Sequence, residues 1–251
     1  MSRPTISLIT SVRNNRPFIR EAIESVLSQT YPSIEYIVVD GASTDGTLDI
    51  IQSYAGRIAK IISEPDLNCY DGMNKGIQAA TGDIIGTLNS DDIFFDHSVI
   101  EKVAQAFRES AELDCVYGNL IFVDRENPEK ITRRWISKPF QEGLFEKSWT
   151  PAHPTFYCKK SVFTRLGGYR LDYKIAADVE LMYRFIQKNH IYSRFLPFNF
   201  IKMRTGGLST RGLQSTWTIT LELKKAITEN QGSFSLIKYL FYKALKLREF
   251  G

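Results

Sequence analysis

Asp91 and Asp92 stand side by side after the short apolar run Ile84-Ile85-Gly86-Thr87-Leu88, with Asn89 and Ser90 between. Adjacent carboxylates repel each other. A hard divalent cation removes that conflict, because Mg²⁺ or Mn²⁺ takes oxygen ligands, usually one or two carboxylates plus substrate phosphates. The pair reads as a metal–diphosphate site or as a solvated turn or helix cap, since Asp serves in both. Other polar strand ends weigh on that choice. Thr10 closes the run from Ile6, Asp40 closes Ile34–Val39, and Glu64-Pro65-Asp66 closes Ile58–Ile62. Four such ends in one parallel sheet would line the same edge, where open α/β sheets bind ligands, and this convergence favours a nucleotide-ligand crevice.

The elements that would position these residues alternate. Pro17 opens a helix carrying Phe18, Ala22, Ile23, Val26 and Leu27, and Ser43 or Thr44 is placed to cap another with Leu48, Ile51 and Tyr54. A third helix runs through Met73, Ile77 and Ala80 into the Asp91 strand. Alternation of this kind implies βαβ units and a largely parallel sheet. After Asp96 come a helix bearing Val99, Ile100, Val103, Ala104 and Phe107, a strand at Cys115–Val123, a short helix at Ser161–Leu166 and a helix opened by Ala177-Asp178-Val179-Glu180-Leu181. Residues 124–143 have no clear pattern beyond an aromatic and apolar character at Trp135, Ile136, Pro139 and Phe140. Two further helices are expected at Leu213–Ile227 and Phe234–Phe250.

Composition narrows the classes. With 32 Lys and Arg against 28 Asp and Glu, the net charge of +4 is too small to imply nucleic-acid binding. Cys69, Cys115 and Cys158 are odd in number and lack a Cys-x-x-Cys spacing, which argues against a disulfide framework or zinc knot and for a reducing, cytoplasmic compartment. No signal-peptide pattern and no run long enough for a membrane span is present. Neither a Walker A sequence nor a Gly-x-Gly-x-x-Gly occurs, so phosphates must be held by metal and side chains.

Further segments extend the pattern: Ile6-Ser7-Leu8-Ile9-Thr10 with Asn14-Asn15; Val38-Val39-Asp40-Gly41-Ala42-Ser43-Thr44-Asp45-Gly46-Thr47; Ser63-Glu64-Pro65-Asp66 with Tyr70-Asp71-Gly72-Met73-Asn74-Lys75-Gly76; and Leu88-Asn89-Ser90-Asp91-Asp92. His153-Pro154-Thr155-Phe156, Gly167-Gly168-Tyr169, Ala177-Asp178 and Gly206-Gly207-Leu208-Ser209 follow in order. Together they make the chain resemble a family 2 glycosyltransferase of the GT-A fold, the inverting, bacterial polysaccharide type. The resemblance implies an α/β GT-A fold: a mostly parallel central sheet flanked by helices, with a C-terminal helical extension. Residues 1–210 would form the catalytic domain, 1–96 its nucleotide-sugar-binding half and 97–210 its acceptor and base half, with 211–251 as the extension.

The implied activity is metal-dependent transfer of a hexosyl or N-acetylhexosaminyl group, with inversion, from a nucleotide diphosphate sugar (a UDP-sugar) to a hydroxyl of a glycan or lipid-linked acceptor in cell-surface polysaccharide synthesis. By the resemblance, Thr10 and Asp40 face the nucleobase, with Asp66, Lys75 and Asn89 also in the donor site. Asp91 lies by the ribose or metal, Asp92 holds Mn²⁺ or Mg²⁺, and Asp178 is the general base, with Glu180 or Asp172 next in line. His153, Gly207 and Ser209 are acceptor or loop candidates, His153 alternatively being structural. The chemistry suits these roles: a diphosphate leaves only when its growing charge is neutralised, and an acceptor hydroxyl attacks only once its proton is removed. The chain departs from the pattern at Gly41 for a second acid, Met73 for an Arg, Asn89 for an Asp and Ala177 for a Glu.

Two other classes compete. A sugar-phosphate nucleotidylyltransferase would need a Gly-rich N-terminal loop for a triphosphate, which is missing, and a non-catalytic nucleotide-sugar-binding protein would have no need of Asp91, Asp92 and Asp178 together. The last helix mixes Leu236, Ile237, Leu240, Phe241, Ala244, Leu245 and Leu247 with Lys238, Lys243, Lys246 and Arg248. Such a helix either lies peripherally on the inner face of an anionic membrane or packs on the catalytic domain or on a second copy in a homodimer.

Overall fold

The computed structural model describes residues 3–206 and 213–248. The first half follows the expected alternation: β1 (Ile6–Val12), α1 (Ile19–Leu27), β2 (Ile34–Asp40), α2 (Thr47–Gln52), β3 (Lys60–Ser63), α3 (Cys69–Ala79) and β4 (Ile84–Thr87). β1 is buried at every position but Ser11, as a strand covered on both faces must be. Its residues alternate between two cores. Ile6, Leu8 and Val12 face α1 and α4 (Val99–Glu109), and Ile9 joins Ile37, Ile77 and Ile85 on the opposite side. α1 turns Ile19, Ala22, Ile23 and Val26 inward, a spacing of i, i+3, i+4 and i+7. The start of α2 corrects one expectation: Gly46 (φ 88°) precedes it and Asp45 accepts the Thr47 N–H at 3.0 Å, whereas Ser43 and Thr44 are spent on Asn14.

Nine strands form one sheet in the order β3-β2-β1-β4-β8-β6-β9-β5, with β7 paired to β6. The β3-β2-β1-β4 half is parallel throughout. The other half is mixed: β8 (Tyr157–Lys159) runs antiparallel between β4 and β6 (Cys115–Val123), while β9 (Ser193–Arg204) lies parallel to β6. Short β5 (Ile93–Phe94), β7 (Ile131–Trp135), β8 and the twelve-residue β9 all lie outside the expected strands. β9 contains Pro197, which ordinarily argues against an interior strand. Here Pro197 falls in the irregular stretch between Phe195, opposite Tyr117, and Asn199, opposite Asn119, where regular pairing is suspended.

Between β8 and β9 lie α5 (Lys160–Leu166) and α6 (Ala177–Met182), the latter continued by a π-turn over Tyr183–Lys188. α7 (Leu213–Glu229) and α8 (Leu236–Arg248) complete the fold. α7 buries Leu223 and Ile227 in the core behind β6, and its Glu222 accepts the N–H groups of Lys174, Ile175 and Ala176 at 2.7, 3.0 and 2.8 Å.

Candidate active site

The loops leaving β1, β2 and β4 meet at the carboxyl edge of the parallel half and are laced together. Asn14, in a left-handed conformation at φ 52°, donates its N–H to Ser43 Oγ and accepts the Thr44 N–H, both at 2.8 Å. Asn15 donates its N–H to Thr47 Oγ1 at 2.9 Å and its side-chain amide to Ser90 Oγ at 2.8 Å. Asn and Ser are the residue types that can bond backbone in this way, which explains their density here.

Within this rim Asp91 and Asp92 part company. Asp92 is 1% exposed, its Oδ2 accepting from Asn89 Nδ2 at 2.8 Å and its Oδ1 from the Arg204 N–H at 3.1 Å. Burial raises its carboxyl and the charge of Asp91 raises it further, to about 8, against the opposing pull of the Asn89 and Arg204 bonds. Asp91 is half-buried, and among the described residues its carboxylate accepts no hydrogen bond. In this geometry Asp91 is the carboxylate with lone pairs open, while Asp92, expected to hold the metal, is bonded to Asn89 and the Arg204 N–H beneath the loop.

Arg204, which the sequence reading missed, locks this arrangement from the end of β9. It is 2% exposed and donates to the Asp91 carbonyl at 2.7 Å, to Glu21 Oε2 of α1 at 2.5 Å and to the Arg125 carbonyl at 3.1 Å. The available signal was an arginine at the end of the run 198–204, just before Gly206-Gly207. Gly207 and Ser209 themselves lie outside the described residues.

The other donor-site candidates fare differently. Thr10 is fully buried, and Tyr36 donates its hydroxyl to Thr10 Oγ1 at 3.1 Å. Its side chain lies on the same face of β1 as Ile6 and Leu8, so in this structure its hydroxyl meets Tyr36. Asp40 is also buried, its Oδ2 accepting from the Ser43 N–H at 3.1 Å and from Ser63 Oγ at 2.8 Å, while Oδ1 has no partner among the described residues. Lys75, expected to meet phosphate, is ringed by Asp66 at 2.7 Å, Glu64 at 3.1 Å and Asp71 at 3.6 Å. Those carboxylates, Asp66 foremost, hold its ammonium well above the usual lysine range and neutralise it. Asp66 in turn fills the space that explains Gly41 and Gly72, since a Cβ on either would lie 2.8 Å from its Oδ2.

The opposite rim carries Asp178 on the first turn of α6. Its Oδ2 lies 3.0 Å from His153 Nδ1, so His153 pairs with the candidate base, and its Oδ1 accepts the Val179 N–H at 2.9 Å. Tyr169 and Tyr70 stack at 5.6 Å beside it, both phenols pushed up first by burial and then by the Asp178 charge. Tyr169 also reaches Thr87, the last residue of β4, and so links the two rims. Asn74 of α3 clamps Tyr169 from both sides, donating to its carbonyl and accepting its N–H, each at 2.8 Å. The reserve bases are excluded by their partners. Glu180 is fully buried against Arg184 at 2.9 Å, and Asp172 is paired with Arg170 at 2.7 Å and Lys225 at 2.6 Å.

The donor set around Asp91 suits a hard cation in part. No group of three or more His, Cys, Asp or Glu able to enclose a metal occurs among the described residues, so an ion anchored on Asp91 would take further oxygens from a diphosphate, as Mg²⁺ and Mn²⁺ sites do. A recess of about 660 Å³ at the opposite edge of the sheet, lined by Thr81, Asp83, Arg108, Lys159 and Lys160, offers no such chemistry. Its cations are occupied, Arg108 by Glu101 at 2.8 Å, Lys159 by the Ala111 carbonyl at 2.7 Å and Lys160 by the Ala80 carbonyl at 2.6 Å.

Comparison with known proteins places this architecture. The chain is 28% identical over 200 residues to a PGL/p-HBAD biosynthesis glycosyltransferase of Mycobacterium bovis, covering 78% of this chain and 75% of that protein. It is 32% identical over 193 residues to a Bacillus subtilis protein named as the glycosyltransferase EpsE, covering 74% and 68%. The fold matches S. aureus TarS 1-349 in complex with UDP-GlcNAc at a TM-score of 0.68 and 16% identity, over 89% of this chain and 66% of that one. It matches the mannosyltransferase PcManGT from Pyrobaculum calidifontis, in complex with GDP-Man and Mn2+, at a TM-score of 0.68 and 18% identity, over 97% and 70%. These likenesses establish the GT-A fold. Residues 7–165, which hold the whole donor rim and His153, match glycosyl transferase family 2, and the chain belongs to that family.

Proposed function

We propose that this protein moves a sugar, with inversion, from a nucleotide diphosphate sugar to a hydroxyl of a glycan or lipid-linked acceptor in cell-surface polysaccharide synthesis. What supports the reading is two carboxylate centres near the end of β4: Asp91 just after it, and Asp178 paired at 3.0 Å with His153 of the 153–155 turn that packs on β4. Asp178 accepts the acceptor's hydroxyl proton while the freed oxygen attacks the anomeric carbon, and the C–O electron pair leaves with the diphosphate. Asp91 would hold a divalent cation, which would supply charge neutralisation for that leaving group. His153 holds the Asp178 carboxylate in one orientation, and the Tyr169–Tyr70 stack screens it from water. Asp40 supports recognition of the base: its Oδ1, without a partner among the described residues, is an acceptor that a base N–H would satisfy. Lys75 takes no part in phosphate binding, because its own acids already neutralise it.

The test is a panel of UDP- and GDP-sugars with and without Mn²⁺, read as thermal stabilisation and as release of the nucleoside diphosphate. One donor raises the melting temperature in the presence of the ion, because a ligand that binds only the folded state stabilises it by mass action. If no nucleotide-sugar stabilises the protein, and a nucleoside triphosphate with a sugar phosphate yields pyrophosphate instead, the nucleotidylyltransferase reading takes its place.

A further inference from the structure

α8 is held to the body by one side only. Tyr239 is 4% exposed and stacks with Phe234 at 5.5 Å, Lys147 sits 5.8 Å over the Tyr242 ring, and Lys243 donates to Thr220 of α7 at 3.4 Å. The outer side presents Leu236, Ile237, Leu240, Phe241 and Leu245 at 38, 83, 44, 60 and 39% exposure, one continuous helical stripe. On α7, Trp217 and Leu221, one turn apart, are 52 and 48% exposed. An apolar face of this extent on a surface helix marks an interaction site.

We propose that the outer face of α8 lies on an anionic lipid surface. Charge selects this occupant. Residues 230–251 carry Lys238, Lys243, Lys246 and Arg248 against one acid, Glu249. A second copy docking on the same face would bring exposed Lys238 and the net positive charge of the segment against their equivalents, whereas acidic headgroups complement them and acyl chains take the apolar stripe. Length sets the geometry. The helix has 13 residues, about 20 Å at 1.5 Å per residue, which is shorter than the roughly 30 Å hydrocarbon core. No helix among the described residues is long and apolar enough to cross a membrane, so α8 lies in the interface plane with Phe241 and Ile237 directed into it. The inference stands on α8 alone and does not require a lipid-linked acceptor.

Sedimentation of the full chain with phosphatidylcholine vesicles, with and without phosphatidylglycerol, tests it. The protein is expected to sediment with the anionic vesicles only, less so at high salt, and the double variant Ile237→Ser/Phe241→Ser to bind about tenfold more weakly with an unchanged melting temperature. Lys238→Glu, which leaves the apolar face intact, should weaken binding to the anionic vesicles as well. Equal binding to neutral and anionic vesicles, or parental binding by the double variant, overturns the proposal. So does a concentration-dependent dimer that the double variant abolishes in a chain that ignores vesicles.

Discussion

The two rims of the crevice are held in opposite ways. The donor rim is braced chiefly by its own loops: Asn14 to Ser43 and Thr44, Asn15 to Thr47 and Ser90, Asn89 to Asp92. The base rim is held by groups from elsewhere. Asn74 of α3 clamps Tyr169, Arg184 bonds the Gly168 carbonyl at 2.7 Å, and Glu222 of α7 gathers the N–H groups of residues 174–176 just ahead of Asp178. The 14–47 network thus forms within successive βα units, whereas the Asp91–Asp92 loop through Arg204 and the Asp178 turn through Glu222 are completed only when distant segments pack. Substitutions in one rim should separate donor binding from turnover, and substitutions in the bracing of the other should reveal the dependence.

The largest expected effect is at Asp178. Asp178→Asn keeps the size of the side chain but cannot take the proton, so turnover at saturating substrates should fall by roughly 10²- to 10⁴-fold with donor affinity nearly unchanged. His153→Gln should retain more activity if His153 only orients the carboxylate. A loss at His153 equal to that at Asp178 would instead make His153 the proton acceptor, with Asp178 behind it.

The acid pair of the donor rim should divide next. Asp91→Asn is expected to weaken Mn²⁺-dependent donor binding by about 10- to 100-fold, the loss of one charge-assisted contact of roughly 1.5–3 kcal/mol. Asp92→Asn should weaken it less and reveal itself in stability. The Asp92 carboxyl is raised from 3.8 to about 8 in the folded protein, so its contribution is full below 3.8 and is lost as pH rises towards 8. The melting temperature of Asp92→Asn relative to the parent should therefore rise across that window. A flat difference would place the carboxylate in a better-solvated setting than its burial indicates.

The smallest effect tests the bracing across rims. Asn74→Ala removes both bonds to the Tyr169 backbone and should cost about 1–2 kcal/mol in stability. It should lower turnover while sparing donor affinity, even though Asn74 belongs to the donor half. Donor affinity falling in parallel with turnover would mean that the two rims are one mechanical unit.

Much of this was legible because local chemistry decided it. β1, β2 and β6 are continuous apolar runs, and α1 and α4 show an amphipathic spacing that depends on nothing distant. β9 was illegible because its Pro197 is tolerated only where pairing with β6 is irregular, a property of the partner strand. α2 begins at Thr47, after Asp45 and Gly46, because Asn14 claims the Ser43 hydroxyl that would otherwise have been free to cap it.

What the amino-acid sequence determined by itself is the βα alternation, the gathering of polar strand ends on one edge and the candidacy of Asp91, Asp92 and Asp178. The first two and the Asp91–Asp92 pair follow from periodicity and residue type, which act over a few neighbouring positions, and Asp178 follows from the resemblance to family 2 glycosyltransferases. Only the tertiary structure decided which acid of the pair is open, that Lys75 is neutralised, that Thr10 is buried, and that His153 and Arg204 join the site. Exposure, charge pairing and hydrogen-bond satisfaction depend on what the rest of the chain brings within a few ångströms. The strand that brings Arg204 to Asp91 is separated from it by more than a hundred residues of sequence.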